Sequence, residues 1–471
     1  MNPAGFPDEV WLRIFAYIID ARSLQSLVLS CSLFHNLGME ELLRTLVWNT
    51  QEKTEANLEF WEKSTDRQHI PKALSINMNL KYDAAESHPA ILRSATRFHS
   101  LSSLSLSNAR LGPTFYQVLI GLPNLTHLSV NSCCLAAAPP HFPYSFPSFS
   151  ANGTTGISVT DLTIQRISTY HHVYYSDEED DDDGFWVSLP QRPDLAFFAL
   201  LPHLRALTVS RYVKIPIANL PQLTSLTLVA GMGTGAAIHL LNEYLPHTPS
   251  LLHLDVGLTT DKWWDPSREP PELPALQGSL PLLQSFTGPA IIAASIIPDS
   301  PALASLKINN FLVKMEEALM LVERVNADSL HEIDLRLAKW DDEVLLAITQ
   351  RLTECRDVRI VYCFSEPSNV FMFNLGIHHL EHLDDLHTLH VHAVPPPPLD
   401  LPNGMYVAPH LRPVETRVPA VVPAEEDCAE NLAVWSRYTK ALREVRFVEG
   451  RAWIRHYARG KWEVTVVESE T

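Results

Sequence analysis

The residues best suited to chemistry are His378-His379-Leu380-Glu381-His382, an H-x-x-E-H run followed closely by His387, His390 and His392. In that pattern two imidazoles one helical turn apart hold a zinc ion and the carboxylate between them acts as base, so the residue types point to a metal-dependent hydrolase. That chemistry needs a third ligand, and none can be assigned. The histidines also flank the apolar triplet Leu386-Leu389-Val391, whose intervening positions must be polar if it forms a half-buried strand. The expectation is therefore solvent-facing histidines and no metal. A phosphate-cradling loop is absent, because Gly231-Met232-Gly233-Thr234-Gly235 lacks the Lys and the spacing. The chain also has no G-x-S-x-G nucleophile turn. It reads as a non-enzyme, with no catalytic residue and no cofactor.

Other stretches suit binding. The run Asp177 to Asp183 makes a local negative potential that would attract a basic tail, although a solvated loop explains it as well. Trp263-Trp264 would serve either as an exposed anchor or as a lid folded onto the core. Pro395 to Pro398 suits a stiff linker or a polyproline ligand. The formal charge of −18 over 471 residues opposes approach of phosphate backbones and anionic lipids, so neither nucleic acid nor membrane is expected as a partner. Six cysteines without a C-x-x-C pair read as reduced thiols, and no apolar run is long enough to span a bilayer. These features fit a cytoplasmic or nuclear protein.

The elements that carry these residues can be read from periodicity. Val10, Ile14 and Ile18 recur at i, i+4 and i+8, and Leu24, Leu27, Val28 and Cys31 at i, i+3, i+4 and i+7, which predicts two short amphipathic helices. Pro7-Asp8-Glu9 suits the start of the first, and Asp20 and Ser23 the start of the second. Beyond residue 70 a unit of the form apolar-x-x-apolar-x-apolar recurs, as in Leu101-Leu104-Leu106, Leu125-Leu128-Val130, Leu204-Leu207-Val209, Leu303-Leu306-Ile308 and Leu330-Ile333-Leu335. The last two apolar positions lie on one face of a short strand, and one unit cannot bury that face alone, so the units must stack. Helix-like runs at Phe311 to Val325 and Asp341 to Leu352 alternate with the triplets, which implies parallel strands lined by helices.

The segment Phe6-Pro7-Asp8-Glu9-Val10-Trp11-Leu12-Arg13-Ile14-Phe15, with Leu24, Leu27, Val28, Cys31 and Phe34 after it, resembles the F-box. The remainder is similar in architecture to the leucine-rich-repeat class of F-box proteins. The resemblance implies that Pro7, Ile14, Phe15, Leu24, Leu27, Cys31 and Phe34 support or form a surface for a Skp-family adaptor, and through it a cullin. It also implies that the repeats hold an unknown protein substrate for a cullin–RING ubiquitin ligase. A repeat scaffold working outside ubiquitylation is the alternative.

The expected fold is α/β: a helical F-box at residues 1–50, then an irregular leucine-rich-repeat-like solenoid at residues 70–394 with insertions near 138–155 and 175–184. A Pro-rich linker at residues 395–427 and a C-terminal helix with a hairpin cap at residues 428–471 complete it. The hairpin is expected to join Trp453–Tyr457 to Trp462–Val467.

Overall fold

The computed structural model describes residues 7–18, 20–78, 88–135, 157–169, 201–210, 220, 222–229, 234–257, 280–310, 315–365, 367–394, 425–456 and 460–467. The acidic run, the Trp263-Trp264 pair, the proline block and the 138–155 insertion lie outside them. The chain divides into two compact units, Met1–Val229 and Ala230–Thr471. Both are mixed α/β, with mostly parallel strands of the leucine-rich-repeat-like kind.

The first unit opens with three helices: α1 (Asp8–Tyr17), α2 (Ala21–Val28) and α3 (Ser32–Arg44). Carboxylates fill the first turn of α1, complementing the positive end of the helix dipole. Asp20 caps α2, accepting hydrogen bonds from the backbone N–H groups of Ser23 (2.8 Å) and Arg22 (3.3 Å). These bonds, with the Ser23 hydroxyl bond first among them, hold the Asp20 carboxyl below its ordinary pKa. The Cys31 thiol takes the same capping place at α3, 3.5 Å from the Phe34 N–H. A third helix and a strand thus follow the two helices read from periodicity, and α3 runs directly into β1 (Thr45–Trp48).

Next come α4 (Gln51–Lys63), β2 (Ala73–Asn77), α5 (His88–Ala95), β3 (Ser103–Ser107), β4 (Arg110–Leu111), α6 (Pro113–Ile120) and β5 (His127–Asn131). The unit continues with β6 (Cys134–Leu135), β7 (Asp161–Gln165), β8 (Ser168–Thr169), β9 (Ala206–Val209) and β10 (Ser225–Leu228). Strands β1, β2, β3, β5, β7, β9 and β10 pair in that order, all parallel. Their apolar triplets are buried, as Leu101, Leu104 and Leu106 show. After β3, β5 and β7 the chain turns through Asn108, Ser132 and Arg166, each at positive φ. It then buries Ala109, Cys133 and Ile167 and enters β4, β6 and β8, which form a second small parallel sheet. The repeat is therefore eleven residues in pattern rather than six, and Cys133 holds its N/C position. The Cys133 thiol accepts the Ala109 N–H at 3.4 Å and donates toward the Leu106 carbonyl, tying one turn to the next.

The second unit contains α7 (Thr234–Tyr244), β11 (His253–Val256), β12 (Ser285–Gly288), α8 (Ala290–Ile296), β13 (Ser305–Ile308), α9 (Met315–Arg324), β14 (Glu332–Lys339) and α10 (Asp342–Arg351). It ends with β15 (Asp357–Phe364), α11 (Asn369–His378), β16 (Thr388–Ala393), α12 (Glu425–Tyr438), β17 (Glu444–Val448), β18 (Arg451–Ile454) and β19 (Glu463–Val466). Strands β11 to β17 pair in sequence and in parallel. Strands β17, β18 and β19 then form an antiparallel meander. Strands β18 and β19 form one antiparallel pair, with β18 at Arg451–Ile454 rather than at the expected Trp453–Tyr457, and Gly450 at φ 78 lies between β17 and β18 in the other.

Helices α11 and α12 pack so closely that a Cβ on Gly376 would fall 1.9 Å from Trp435 Cδ1. Trp435 in turn donates its indole N–H to the Met372 carbonyl at 3.0 Å. Among the described residues no helix is long and apolar enough to cross a membrane.

Candidate functional site

The N-terminal helices close a small core of their own. Phe15, Leu24, Val28 and Phe34 are buried, and Trp11, Ile18, Leu27, Cys31 and Leu37 pack against them. Phe15 meets Phe34 edge-on at 5.5 Å between ring centroids, and Trp11 lies 4.6 Å from Phe34. On α3, Gly38 leaves room for Val28, whose methyl would be 2.6 Å from an added Cβ.

This core sorts the seven residues drawn from the F-box resemblance. Phe15, Leu24 and Phe34 are interior, Leu27 and Cys31 are half-buried against them, and Pro7 and Ile14 are exposed. The helix α1 carries two apolar stripes rather than one. Trp11, Phe15 and Ile18 face the core, whereas Val10, Ile14 and Tyr17, at i, i+4 and i+7, are 38%, 40% and 85% exposed. Periodicity alone grouped Val10 and Ile14 with Ile18, because a helix apolar on two sides offers two equally spaced stripes. Tyr17, absent from the candidate residues, was signalled only by its spacing from Val10 and Ile14. Leu29, 72% exposed, adds apolar surface just past the end of α2.

The strands of the first unit put their apolar residues into the core and show mainly hydroxyl and amide side chains on the opposite face, with His127 and Asp161 as an ionisable pair. One rank crosses six strands in register: Ser75, Ser105, Ser129, Thr163, Thr208 and Thr227. A second holds Asn77, Ser107, Asn131 and Gln165. A third holds His127 beside Asp161 at 3.4 Å.

The corresponding face of the second unit is charged and paired within itself. Lys307 meets Glu332 at 2.7 Å, and the Ser305 hydroxyl donates to Glu332 at 2.6 Å. Burial works to raise the Glu332 pKa, but the Lys307 and Ser305 bonds outweigh it and bring the carboxyl down. Arg359 lies 3.6 Å from Asp334, whose pKa burial nonetheless pushes up. His390 Nε2 sits 3.1 Å from Glu444, which also takes Arg446 at 2.9 Å.

His390 and His392 are buried, at 7% and 3% exposure, which corrects the expectation of solvent-facing histidines on this strand. His390 stands in register between Arg359 and Arg446, and His392 stands beside the buried Val361. Burial first, then Arg446, lowers His390 to about 4 against the opposing pull of Glu444. The imidazole is thus neutral, donating from Nε2, and its Nδ1 has no hydrogen-bond partner among the described residues.

The H-x-x-E-H run does not lie on one helix. Helix α11 ends at His378, and Leu380–His382 forms a separate 3-10 turn that buries Leu380. The one-turn spacing that zinc ligation needs is broken there. Among the described residues no group of three His, Cys, Asp or Glu side chains is placed to hold a metal ion. Burial raises the Cys355 and Cys363 thiols to about 12 and about 11, so neither is a ready nucleophile.

No protein-family model matches this chain, and no curated protein does. Solved structures similar to it include an internalin from Listeria monocytogenes, at 14% identity over 72% of this chain and 80% of that one, with a TM-score of 0.35. The plant peptide hormone receptor RGFR1 in complex with RGF2 is similar at 12% identity, over 70% of this chain and 46% of that one, with a TM-score of 0.27. The leucine-rich-repeat ectodomain of the receptor kinase GASSHO1/SCHENGEN3 from Arabidopsis thaliana is similar at 12% identity, over 86% and 40%, with a TM-score of 0.28. The chain spans less than half the length of the two plant receptors it matches.

Proposed function

We propose that this chain is a non-catalytic substrate receptor of a cullin–RING ubiquitin ligase, with its N-terminal helices on a Skp-family adaptor and its repeat strands on a protein substrate. The observation that carries the reading is the second stripe of α1. Val10, Ile14 and Tyr17 stay exposed although a complete core already occupies the other side of the helix. Exposed large apolar residues in contiguous array are the usual mark of a partner surface. Phe15, Leu24 and Phe34 support that surface from beneath, and Pro7, Ile14 and Tyr17 would touch the adaptor. The receptor's contribution is positional: it raises the local concentration of a substrate lysine near a ubiquitin-charged enzyme.

The test is co-purification of the full chain with a Skp-family adaptor and a cullin. The parent should be captured stoichiometrically, and the surface variant Ile14→Asp/Tyr17→Ser should lose capture while keeping its circular dichroism and melting temperature. Capture of neither by any adaptor, from well-folded protein, would leave the repeat scaffold outside ubiquitylation as the better account.

A further inference from the structure

Strand β19 differs from every other described strand of four or more residues in burying none of its residues. Val464 is 49% exposed and Val466 84%. Val464 stands opposite Trp453 on β18, so the two side chains share a face of the sheet. Trp453 packs on Phe447, and Phe447 on Trp435 of α12. Val464 and Val466 therefore continue the core face of the sheet past its covering helix. Where repeats stack, the next unit covers such a face.

The backbone of β19 is also open. Among the described residues it pairs with β18 alone. The Val467 N–H donates to the Gly450 carbonyl at 3.0 Å, so in this antiparallel ladder residues 463, 465 and 467 turn their main-chain groups toward β18. Val464 and Val466 turn theirs outward. The strand is anchored for pairing, because Trp462 at its start donates its indole N–H to the Ser436 hydroxyl at 2.8 Å and lies 5.0 Å from the Arg455 guanidinium. Within β19 no proline, lysine or bulge blunts the edge, and its one charge, Glu463, lies on the face opposite the valines.

We propose that β19 pairs antiparallel with β19 of a second copy of this chain, joining the two sheets edge to edge about a two-fold axis. Only residues with outward main-chain groups can face one another, so Val464 and Val466 of one copy meet those of the other. The four valines then form one apolar strip along the joined core faces. Charge selects this occupant. Arg459 and Lys461 precede the strand in sequence, and Glu468 and Glu470 follow it. Antiparallel copies bring each basic end beside the other's acidic end, whereas parallel alignment sets like charges together. A four-residue strand is only about 14 Å long, far short of a permanent interface, so the association is reversible, with a dissociation constant on the order of 10–100 μM.

The test is sedimentation velocity of the purified full chain from about 1 to about 300 μM, a range that brackets that affinity. The expected result is reversible monomer–dimer exchange. Val466→Pro removes an outward N–H and leaves the bonds to β18 intact, so it should weaken dimerisation at least about tenfold at an unchanged melting temperature. Val466→Lys, which keeps the backbone group, should do the same. Lys461→Glu should also weaken the dimer, and Lys461→Glu/Glu468→Lys should restore it.

A monomer throughout the range, a dimer indifferent to Val466→Pro and Val466→Lys, or failure of the charge exchange to restore it would overturn the inference. So would slow hydrogen exchange of the Val464 and Val466 amides in the dilute monomer, because another segment of the same chain would then cover the edge. Ile14→Asp/Tyr17→Ser should dimerise as the parent does. Loss of the dimer in that variant would move the contact to α1 and overturn the inference, so failure to capture an adaptor and failure of this edge are read separately.

Discussion

The two units use one strand pattern and opposite chemistry on the face turned from the core. In the first unit the exposed positions hold mainly hydroxyls and amides beside the His127–Asp161 pair, and the rank from Ser75 to Thr227 makes no side-chain hydrogen bonds among the described residues. In the second unit Lys307–Glu332, Arg359–Asp334 and His390–Glu444 pair across neighbouring strands, and Arg446 adds to Glu444 from within β17. Stacking dictates the buried positions of a repeat protein, whereas the alternate positions can be spent on ligands or on the strands themselves. The second unit uses them to hold its strands in register. The first leaves its rank of hydroxyls unpaired among the described residues.

Removing a partner in the paired face tests this most severely. Arg359 and Asp334 retain only 23% and 14% side-chain exposure, and Asp334 is already pushed toward its neutral form by burial. Arg359→Ala should cost about 3 kcal/mol by removing the first of the cations that offset that buried carboxylate, ahead of Arg336 and Lys307. Urea unfolding followed by the fluorescence of Trp340, which contacts Tyr362 on β15, would measure it. A loss below about 0.5 kcal/mol would mean that the pair is merely solvated and the contrast between the faces is cosmetic.

The next effect is a pH dependence centred on His390. Its folded pKa, about 4, lies below the ordinary value of 6.5, so the unfolded chain takes up a proton that the native chain refuses. Stability should be complete above the unfolded value and fall as pH drops through that window toward 4. The loss should be about 2 kcal/mol between about pH 7 and about pH 5. His390→Gln, which can still donate to Glu444, should flatten this slope. An unchanged slope would assign it to other groups. Lys307→Ala should cost less, at most about 1 kcal/mol and with a dependence on salt, because that pair is more exposed.

The contrast was only partly legible in the sequence. Buried triplets such as Leu101-Leu104-Leu106 announced the strands because core positions admit few residue types. The corners after them did not, since Asn108, Ser132 and Arg166 share a positive φ but no chemistry. The polar faces were visible as residue types, yet which groups pair depends on strand register. Asp334, Arg359, His390 and Arg446 are separated in the chain and adjacent only in the sheet. The burial of His390 escaped a reading by alternation for the same reason, because its register neighbours Arg359 and Arg446 lie on other strands. At the N-terminus, Phe15 and Ile14 were equally apolar candidates, and only the packing of α2 and α3 decides which is core and which is surface.

The smallest expected effect is the most discriminating. Thr163→Val/Thr208→Val replaces two hydroxyls by methyls of similar shape at part-exposed positions where no described side chain bonds to them. Water is the partner lost, and water is equally available to the unfolded chain, so the stability change should stay within about 0.5 kcal/mol. β-Branched residues also suit strands, so no loss of strand propensity offsets this. Hydrogen exchange across β5, β7 and β9 should likewise match the parent. A destabilisation of about 2 kcal/mol or more would show that these hydroxyls hold the strands as the charged groups of the second unit do. The two faces would then differ in composition without differing in purpose.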